Sequence, residues 1–338
     1  MKYFFSFLFL SFSCLSGAQG IVGPAQPLDG PGSTNYAHDS VQVFDYAQEA
    51  DGFWLYQPAA PRPDSAHLVV FVHGYGAYNP MIYGDWIKHL VQQGNLVLFP
   101  RYQKNLFSPA AVDFIPNVAT AIKDAIHVID SLDQVKAITS DLALVGHSYG
   151  GVISAGLGVQ YKSHGIPKPE ILMLCSPGSG PLRGGVLSDY SGISADTKLL
   201  VMISEHDRIV GDKLGVKIFE MATAVEDRNL VRQLEDEHGS IPIEAGHNES
   251  YSINPEFDNG VRNITARRAE NSSSLDAVDY YGYWKIFDAL LDCVRSGQHC
   301  TFALGDTAAQ RYMGEWSDGT PVKELEITLP DKKNLVEK

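Results

Sequence analysis

The stretch LVGHSYGGV, Leu144–Val152, places a serine between two glycines, each two residues away. The run before it, Asp141–Val145, has the apolar character of a buried strand, and a helix-compatible run, Gly150–Tyr161, follows. A Gly-x-Ser-x-Gly pattern alone occurs in many chains by chance, but a strand–turn–helix setting gives it chemical meaning. We therefore predict Ser148 to be a nucleophile at a sharp turn. The alternative is that Ser148 only caps the helix.

The glycines around Ser148 have separate predicted roles. A Cβ at Gly146 or Gly150 would collide with the neighbouring helix and strand, and Gly151 permits still closer packing. The helix that follows directs its N-terminus, with the amide of Tyr149, toward the serine. That amide is therefore predicted to stabilise negative charge developing beside Ser148.

Strand and helix patterns alternate through most of the chain. Several of the strand patterns are continuous Val, Leu and Ile runs, as expected of strands covered on both faces. The predicted strands are Val41–Ala47, Gly52–Gln57, His67–His73, Asn95–Pro100, Asp141–Gly146, Glu170–Ser176 and Lys198–Ser204. The predicted helices are Tyr83–Gln93, a segment with the apolar stripe Val118, Ile122, Ala125, Ile126 and Ile129, the run Gly150–Tyr161, and Val278–Cys293. This alternation predicts an α/β fold, with a mostly parallel central sheet and helices on both faces. The first two strands lack an intervening helix and are predicted to form an antiparallel edge.

The N-terminus reads as a secretory signal peptide. Lys2 is followed by the short apolar run Tyr3–Leu15, and Ser16-Gly17-Ala18 supplies a small-residue cleavage site. An uncleaved anchor is disfavoured because a span needs about 20 apolar residues. A lipoprotein signal at Cys14 is disfavoured because Ser11 stands where a branched aliphatic residue is usual. The predicted location is secreted or periplasmic, with no later membrane span.

We divide the chain into a signal peptide (1–18), a Gly/Pro-rich leader (19–40), one catalytic domain (41–304) and a C-terminal extension (305–338). The net charge is −14, and it becomes about −15 without the signal peptide, which holds one lysine and no acidic residue. Such acidity excludes nucleic acid and anionic membranes as expected partners.

Three cysteines remain after cleavage. Cys293 and Cys300 can pair across the short loop CVRSGQHC in an oxidising compartment. Cys175 ends an apolar run and is predicted to be a buried thiol. A zinc site from these cysteines with His299 is disfavoured because the chain lacks the CxxC pairs typical of such sites. No metal is expected.

Two polar stretches interrupt the alternation, residues 177–197 and 248–271. Long loops above the carboxyl edge of a sheet are where a substrate cover would lie. The second stretch includes three glycosylation sequons beginning at Asn248, Asn263 and Asn271, which are interpreted as chance matches.

A serine nucleophile needs a base and an acid, which follow it in the chain order Ser, acid, His. Asp207 lies just past the predicted strand Lys198–Ser204 and is the predicted acid, with Glu205 as the alternative. His247, in the small-residue loop EAGHNES, is the predicted base. His238 competes with it but lies among acidic residues in a turn-like segment.

The second oxyanion donor is expected in the loop His73-Gly74-Tyr75-Gly76-Ala77. Its two glycines let the backbone turn an amide toward the site, so we predict that the amide of Tyr75 acts together with that of Tyr149. Among the nearby tyrosines, Tyr78 and Tyr102 are predicted to line an aromatic substrate pocket. Ordinary amphipathic packing is the alternative for each of them.

With these motifs in order, the chain resembles the α/β-hydrolase superfamily from about Val41 to Leu304. The resemblance rests on FVHGYGA, LVGHSYGG, ISEHDRIVG and EAGHNES. The stretch HGYGAYNPMIYGDWIKHLVQQGNLVLFPRYQ is similar to secreted bacterial hydrolases near the dienelactone hydrolase, chlorophyllase and cutinase-like polyesterase groups. The chain departs from dienelactone hydrolases in having a serine, not a cysteine, at the nucleophile position, and it lacks an HGGG run.

The resemblance implies a cofactor-free serine esterase, with Ser148, Asp207 and His247 as the triad and Tyr75 and Tyr149 as oxyanion donors. The expected substrate is a small-molecule or polymeric carboxylic ester. The alternatives are a polyester depolymerase or lipase-like hydrolase, a peptidase, an acyltransferase and a non-catalytic binding protein with this fold.

Overall fold

The structure is a computed structural model that describes residues 20–107, 110–131, 135–182 and 184–331. The predicted signal peptide, residues 1–18, lies outside the described residues. Within those ranges, every helix is too short or too polar to cross a membrane.

One twisted sheet organises the molecule. Within the described residues it has nine strands, in the spatial order β1-β2-β4-β3-β5-β6-β7-β8-β9. The strands are β1 Ser40–Asp45, β2 Phe53–Ala60, β3 Ser65–Val72, β4 Asn95–Pro100, β5 Lys136–His147, β6 Ile171–Cys175, β7 Lys198–Ser204, β8 Arg228–Gln233 and β9 Glu326–Thr328.

The centre of the sheet is parallel and both edges are antiparallel. Strands β3 to β8 run parallel to one another, while β1 and β2 form an antiparallel edge beside β4. The predicted α/β class, the mostly parallel sheet and this antiparallel edge are confirmed. The far edge was not predicted, and there β9 pairs antiparallel with β8.

Helices cover both faces of the sheet, as predicted. The α-helices are α1 Gly84–Gln92, α2 Phe114–Ser131, α3 Tyr149–His164, α4 Lys213–Met221, α5 Ile264–Ser272, α6 Lys285–Ser296, α7 Cys300–Ala303 and α8 Ala308–Arg311. Short 3₁₀ helices span Pro80–Tyr83, Ala111–Asp113 and Pro255–Phe257, and a π-helix, Val278–Trp284, leads into α6.

Alternate residues of the strands feed two separate apolar cores. Val69 and Phe71 of β3 face the core formed with α1 and α6, whereas Leu68 and Val70 face the core formed with α2, α3 and α4. The two-residue period of a strand places successive side chains on opposite faces. Because the strand runs are apolar throughout, both faces are buried.

The sequence prediction missed β8 because its pattern, RNLVRQ, carries two arginines and two amides. The structure buries most of these polar residues with partners. Arg228 Nε donates to Phe219 O at 3.1 Å, and Asn229 Nδ2 donates to Arg228 O at 2.9 Å. A buried strand can hold polar side chains when each finds a hydrogen-bond partner.

The segment predicted as a C-terminal extension packs onto the domain. It supplies α8 and β9, and it buries Trp316, Val322 and Leu325 in the core. The packed core therefore continues beyond the predicted domain end at residue 304.

The predicted cysteine pairing is confirmed. Cys293, in the last turn of α6, and Cys300, at the start of α7, are joined as a disulfide. Cys175 is a free, buried cysteine at the end of β6, also as predicted.

Candidate active site

The carboxyl ends of the parallel strands bring three predicted site residues to one edge of the sheet. Ser148 follows β5, Asp207 follows β7, and His247 lies in the excursion after β8. In open α/β sheets this edge is where ligands bind. These residues lie up to 99 positions apart in the chain and meet only through the sheet topology.

Ser148 has a strained backbone at the junction of β5 and α3. Its φ is 54° and its ψ is −118°, outside the regions that L-residues usually adopt. The surroundings hold this conformation, because Ser148 N donates to Cys175 O at 2.8 Å and Ser148 O accepts from Gly178 N at 3.2 Å. Backbone strain of this kind clusters at functional sites and persists only where neighbours enforce it.

The flanking glycines are required by close backbone contacts, as the sequence predicts. A Cβ on Gly146 would lie 2.3 Å from Gly150 O, and a Cβ on Gly150 would lie 2.0 Å from Val72 O. Gly151 has more room, since its nearest contact would be Pro177 Cβ at 3.0 Å. The tight turn can therefore form only with glycine at the first two positions.

Two hydrogen bonds connect the three side chains in a line. His247 Nε2 lies 2.9 Å from Ser148 Oγ, and His247 Nδ1 lies 2.7 Å from Asp207 Oδ2. If Nδ1 donates to the carboxylate, the lone pair on Nε2 faces the serine hydroxyl and can accept its proton. Ser148 is 8% exposed and His247 is 7% exposed, so the pair is largely shielded from water.

The Asp207 carboxylate is held in its charged form. Burial raises its pKa, but the hydrogen bond from His247, the interaction with the His247 charge and two backbone donors together outweigh burial. The amides of Ile209 and Val210 donate to Oδ1 at 2.9 and 3.0 Å. The net pKa is lowered, so Asp207 is a carboxylate at neutral pH.

The alternative acid and base lie elsewhere. His238 Nε2 is 2.9 Å from Asp318 Oδ2, in an exposed pair. Glu205 Oε2 accepts from the amide of Glu235 at 3.0 Å. The structure therefore places His247 and Asp207, rather than His238 and Glu205, in line with Ser148.

The predicted oxyanion loop comes directly against Ser148. Residues 74–77 form a turn in which Ala77 N donates to Gly74 O at 2.9 Å and Gly76 has a φ of 79°. A Cβ on Gly74 would lie 3.3 Å from Ser148 Cβ. Among the described residues, the amides of Tyr75 and Tyr149 donate to no other protein group. Both amides thus keep a free hydrogen-bond donor beside the serine.

The two tyrosines predicted to line a substrate pocket are buried among protein groups. Tyr102 is fully buried, its ring stacks on His73 with centroids 4.1 Å apart, and its hydroxyl donates to His73 O at 2.8 Å. Tyr78 is 6% exposed, and the Arg101 guanidinium lies 5.9 Å from its ring centroid. The packing alternative therefore describes Tyr102 better than the substrate-binding prediction, because its hydroxyl and ring are already used.

Asn263 supports the predicted oxyanion loop, residues 74–77, in a way that the sequence analysis missed. Its Nδ2 donates to Gly76 O at 2.7 Å, and its Oδ1 caps α5 by accepting from Ala266 N at 2.8 Å. A capping asparagine before a helix pattern was the available signal. The Asn263 amide, predicted only as a chance sequon, instead joins the 248–271 stretch to the turn of residues 74–77.

The other polar stretch, residues 177–197, also lies against the site. The Tyr149 hydroxyl donates to Gly184 O, and Gly178 packs on Val210, whose amide donates to Asp207. Both stretches predicted as covers therefore contact the elements that carry the candidate site.

Across the described ranges, no three His, Cys, Asp or Glu side chains are arranged to hold a metal ion. Neither a scan against protein-family models nor a search of curated proteins found a match to this chain.

Proposed function

We propose that this chain is a serine hydrolase that cleaves carboxylic esters through an acyl-enzyme on Ser148. The observation that carries the proposal is the unbroken line from Ser148 Oγ through His247 to Asp207, with hydrogen bonds of 2.9 and 2.7 Å. A serine hydroxyl is a weak nucleophile until a positioned base removes its proton. This line supplies the base, and the carboxylate holds its tautomer.

The reaction proceeds in two halves. Ser148 Oγ attacks the acyl carbon while His247 Nε2 takes its proton, and the tetrahedral oxyanion accepts hydrogen bonds from the amides of Tyr75 and Tyr149. His247 then protonates the departing alcohol, leaving the acyl group on Ser148. In the second half, His247 removes a proton from water, which attacks the acyl-enzyme and releases the acid.

The order and placement of the site residues favour membership of the α/β-hydrolase superfamily. Nucleophile, acid and base follow three different parallel strands in the chain order Ser, Asp, His, and the nucleophile stands between a strand and a helix. The signal peptide pattern and the disulfide favour action outside the cytoplasm.

A non-catalytic binding protein with this fold is the competing reading. The strained φ of Ser148 argues against it, because a binding surface has no need to maintain an unfavourable backbone conformation there. Two free amides beside the serine also fit oxyanion stabilisation better than passive packing.

The decisive experiment measures p-nitrophenyl ester turnover together with fluorophosphonate labelling. Ser148→Ala should abolish both, with unchanged circular dichroism. Ser154→Ala is the matched control, since Ser154 is a buried serine in α3, the helix that follows Ser148. Wild-type turnover or labelling in Ser148→Ala would refute the proposal.

A second pair of variants tests the base. His247→Ala should lower kcat as severely as the serine variant, because no other imidazole lies against Ser148 Oγ in the described residues. His238→Ala should retain turnover within about twofold. The opposite pattern would move the base to His238.

A further inference from the structure

A buried tyrosine hydroxyl bridges two of the segments that surround Ser148. Tyr83 ends the 3₁₀ helix Pro80–Tyr83 and is fully buried. The amide of Gly74 donates to its hydroxyl at 2.9 Å, and the same hydroxyl lies 2.9 Å from His147 Nδ1. The turn of residues 74–77 is thereby joined to the turn that presents Ser148.

The second ring nitrogen of His147 extends the connection to the base. His147 Nε2 lies 2.9 Å from the backbone oxygen of His247. His147 thus contacts the backbone of His247, whose ring lies within hydrogen-bond distance of the Ser148 hydroxyl.

The hydrogen-bond partners fix the position of each proton in this line of hydrogen bonds. A carbonyl oxygen only accepts, so His147 Nε2 must carry a hydrogen. Burial lowers the pKa of His147 to about 3, with the nearby His247 as a further cause, so the ring is neutral and Nδ1 holds a lone pair. The Tyr83 hydroxyl therefore donates to Nδ1 and uses a lone pair to accept from Gly74 N.

The chain is dry. The ring of Tyr251 packs edge-on against both Tyr83 and His147, at centroid distances of 5.4 and 5.3 Å. Gly74 lies in the same contact, since a Cβ there would lie 3.0 Å from His147 Nδ1 and 3.3 Å from the Tyr83 hydroxyl. In a water-excluded setting, losing one partner leaves the other polar group unsatisfied.

We propose that Tyr83 and His147 are positioning residues that hold the Gly74–Tyr75 turn and the His247 backbone in register around Ser148. Neither side chain touches the substrate. Tyr83 sets where the Tyr75 amide points, and His147 sets the height of the His247 ring above the serine hydroxyl. This inference rests on the proposed serine hydrolase function.

Tyr83→Phe removes the hydroxyl while keeping the ring. We expect kcat for a p-nitrophenyl ester to fall about 10- to 100-fold with KM within about twofold, because a displaced oxyanion donor weakens binding of the transition state more than of the substrate. Tyr190→Phe is the matched control. Tyr190 is also fully buried, and its hydroxyl accepts one hydrogen bond from a backbone amide, that of Leu187, which has no part in the line of hydrogen bonds around Tyr83. It should retain kcat within about twofold.

Two substitutions of His147 test its two hydrogen bonds separately, the one with Tyr83 and the one with the His247 backbone. In His147→Asn the amide oxygen can take the place of Nδ1 as acceptor for Tyr83, but the donor to His247 is lost. In His147→Gln the amide nitrogen can take the place of Nε2 as donor to His247, but the acceptor is lost. His147→Gln should therefore resemble Tyr83→Phe and keep the wild-type midpoint of the kcat/KM pH profile. His147→Asn should shift that midpoint, because the environment of the base changes.

The outcomes are distinct. If folded Tyr83→Phe and His147→Gln keep wild-type kcat while Ser148→Ala abolishes turnover, the positioning inference is overturned and the proposed function stands. If Ser148→Ala keeps turnover, the proposed function fails. The proton assignment has its own readout: ¹⁵N spectra of the ring should show a neutral His147 protonated at Nε2 from pH 5 to 9. A ring protonated at Nδ1 would overturn the inference whatever the activity.

Discussion

The absence of a Cβ atom at Gly150 allows the turn at Ser148 to form. Because a Cβ on Gly150 would lie 2.0 Å from a β3 carbonyl oxygen, Gly150→Ala must displace either β3 or α3. We expect it to lower the free energy of unfolding by about 3 kcal/mol or more. Chemical denaturation monitored by fluorescence measures this loss.

Gly282→Ala is the matched control for that prediction. Gly282 is also a buried glycine in a helical segment, but a Cβ there meets only side-chain carbons at 3.7 Å. Its replacement should change the free energy of unfolding by no more than about 1 kcal/mol. Equal losses in the two variants would contradict the steric explanation.

In the proposed mechanism, Asp207 acts through the ring of His247. Asp207→Asn offers an amide that can direct its NH₂ group toward His247 Nδ1, which favours the tautomer with its proton on Nε2. That ring cannot accept the proton of Ser148, so kcat should fall by about 10⁴-fold with an unchanged fold. Steady-state kinetics on the purified variant check this. A loss below tenfold would mean that the carboxylate is not needed for proton transfer.

Glu249 is expected to make stability depend on pH. Its Oε1 accepts from Gly246 N at 2.9 Å, next to the proposed base, and burial raises its pKa from 4.5 to about 7, with nearby acidic groups adding to the rise. The folded protein thus keeps a proton that the unfolded chain releases at lower pH. The free energy of unfolding should therefore decrease as pH rises from about 4.5 to about 7, by about 3 kcal/mol.

The Glu249→Gln variant isolates this contribution, because glutamine can still accept from Gly246 N but does not ionise. Its melting temperature should lack the part of the decline that Glu249 causes between those pH values. Thermal melts of the two proteins at pH 5, 6, 7 and 8 provide the comparison. Parallel curves would show that the Glu249 carboxyl does not titrate in this range.

At the scale of elements, the disulfide links the end of α6 to α7. The loop that it closes spans a sequence separation of 7, and closing a short loop restricts the unfolded chain by about 2 kcal/mol. Changing both Cys293 and Cys300 to serine should therefore lower the free energy of unfolding by about that amount. Activity should be kept, since neither cysteine lies at the carboxyl edge of the sheet.

A matching thiol count on unreduced, denatured protein lacking residues 1–18 should find one reactive thiol, Cys175.

At the scale of the whole molecule, described residues near 22 and 317 pack together with the loop that carries His247. Trp316 Nε1 donates to Asp236 Oδ2 at 3.2 Å, Ser317 N donates to Val22 O, and Ser240 N donates to Ile21 O. The residues near 22 and 317 thus form a clamp that holds the segment between β8 and the proposed base in place.

Trp316→Ala tests this clamp. The side chain is 2% exposed, so its removal leaves a cavity, at a cost of about 3–5 kcal/mol, although Asp236 Oδ2 still accepts from Lys323 N. Leu329→Ala, which truncates a 41% exposed side chain in the same segment, should cost less than about 0.5 kcal/mol. Thermal and denaturant unfolding measure both, and similar losses would mean that the clamp adds little.

Local patterns predicted much of the molecule. The apolar runs predicted seven strands and the parallel centre of the sheet, because a continuous Val, Leu and Ile run is stable only when both faces are covered. The same patterns failed for β8 and β9. Arg228 and Asn229 make β8 look like a loop, and β9 is three residues long and depends on β8 as its partner.

Within the site, residues in recognisable turns were easier to predict than residues that only support them. Ser148, Asp207 and His247 each stand in a distinctive local setting. Tyr83 does not, and the capping position of Asn263 indicates a helix start but not the bond to Gly76, because both roles depend on which backbone groups lie nearby. Tyr102 was assigned to a substrate pocket, yet a tyrosine beside a strand end can point either into the core or out to the surface.

The amino-acid sequence by itself determined the α/β architecture, the turn at Ser148, the disulfide partners and the short set of candidate acids and bases. These features follow from local periodicity, from turns that only glycine permits and from short spacings along the chain. Only the tertiary structure decided that His247 and Asp207, rather than His238 and Glu205, align with Ser148, and that Tyr83 and His147 join the surrounding turns. Hydrogen bonds depend on distances of about 3 Å between residues far apart in the chain, and those distances exist only once the sheet has assembled.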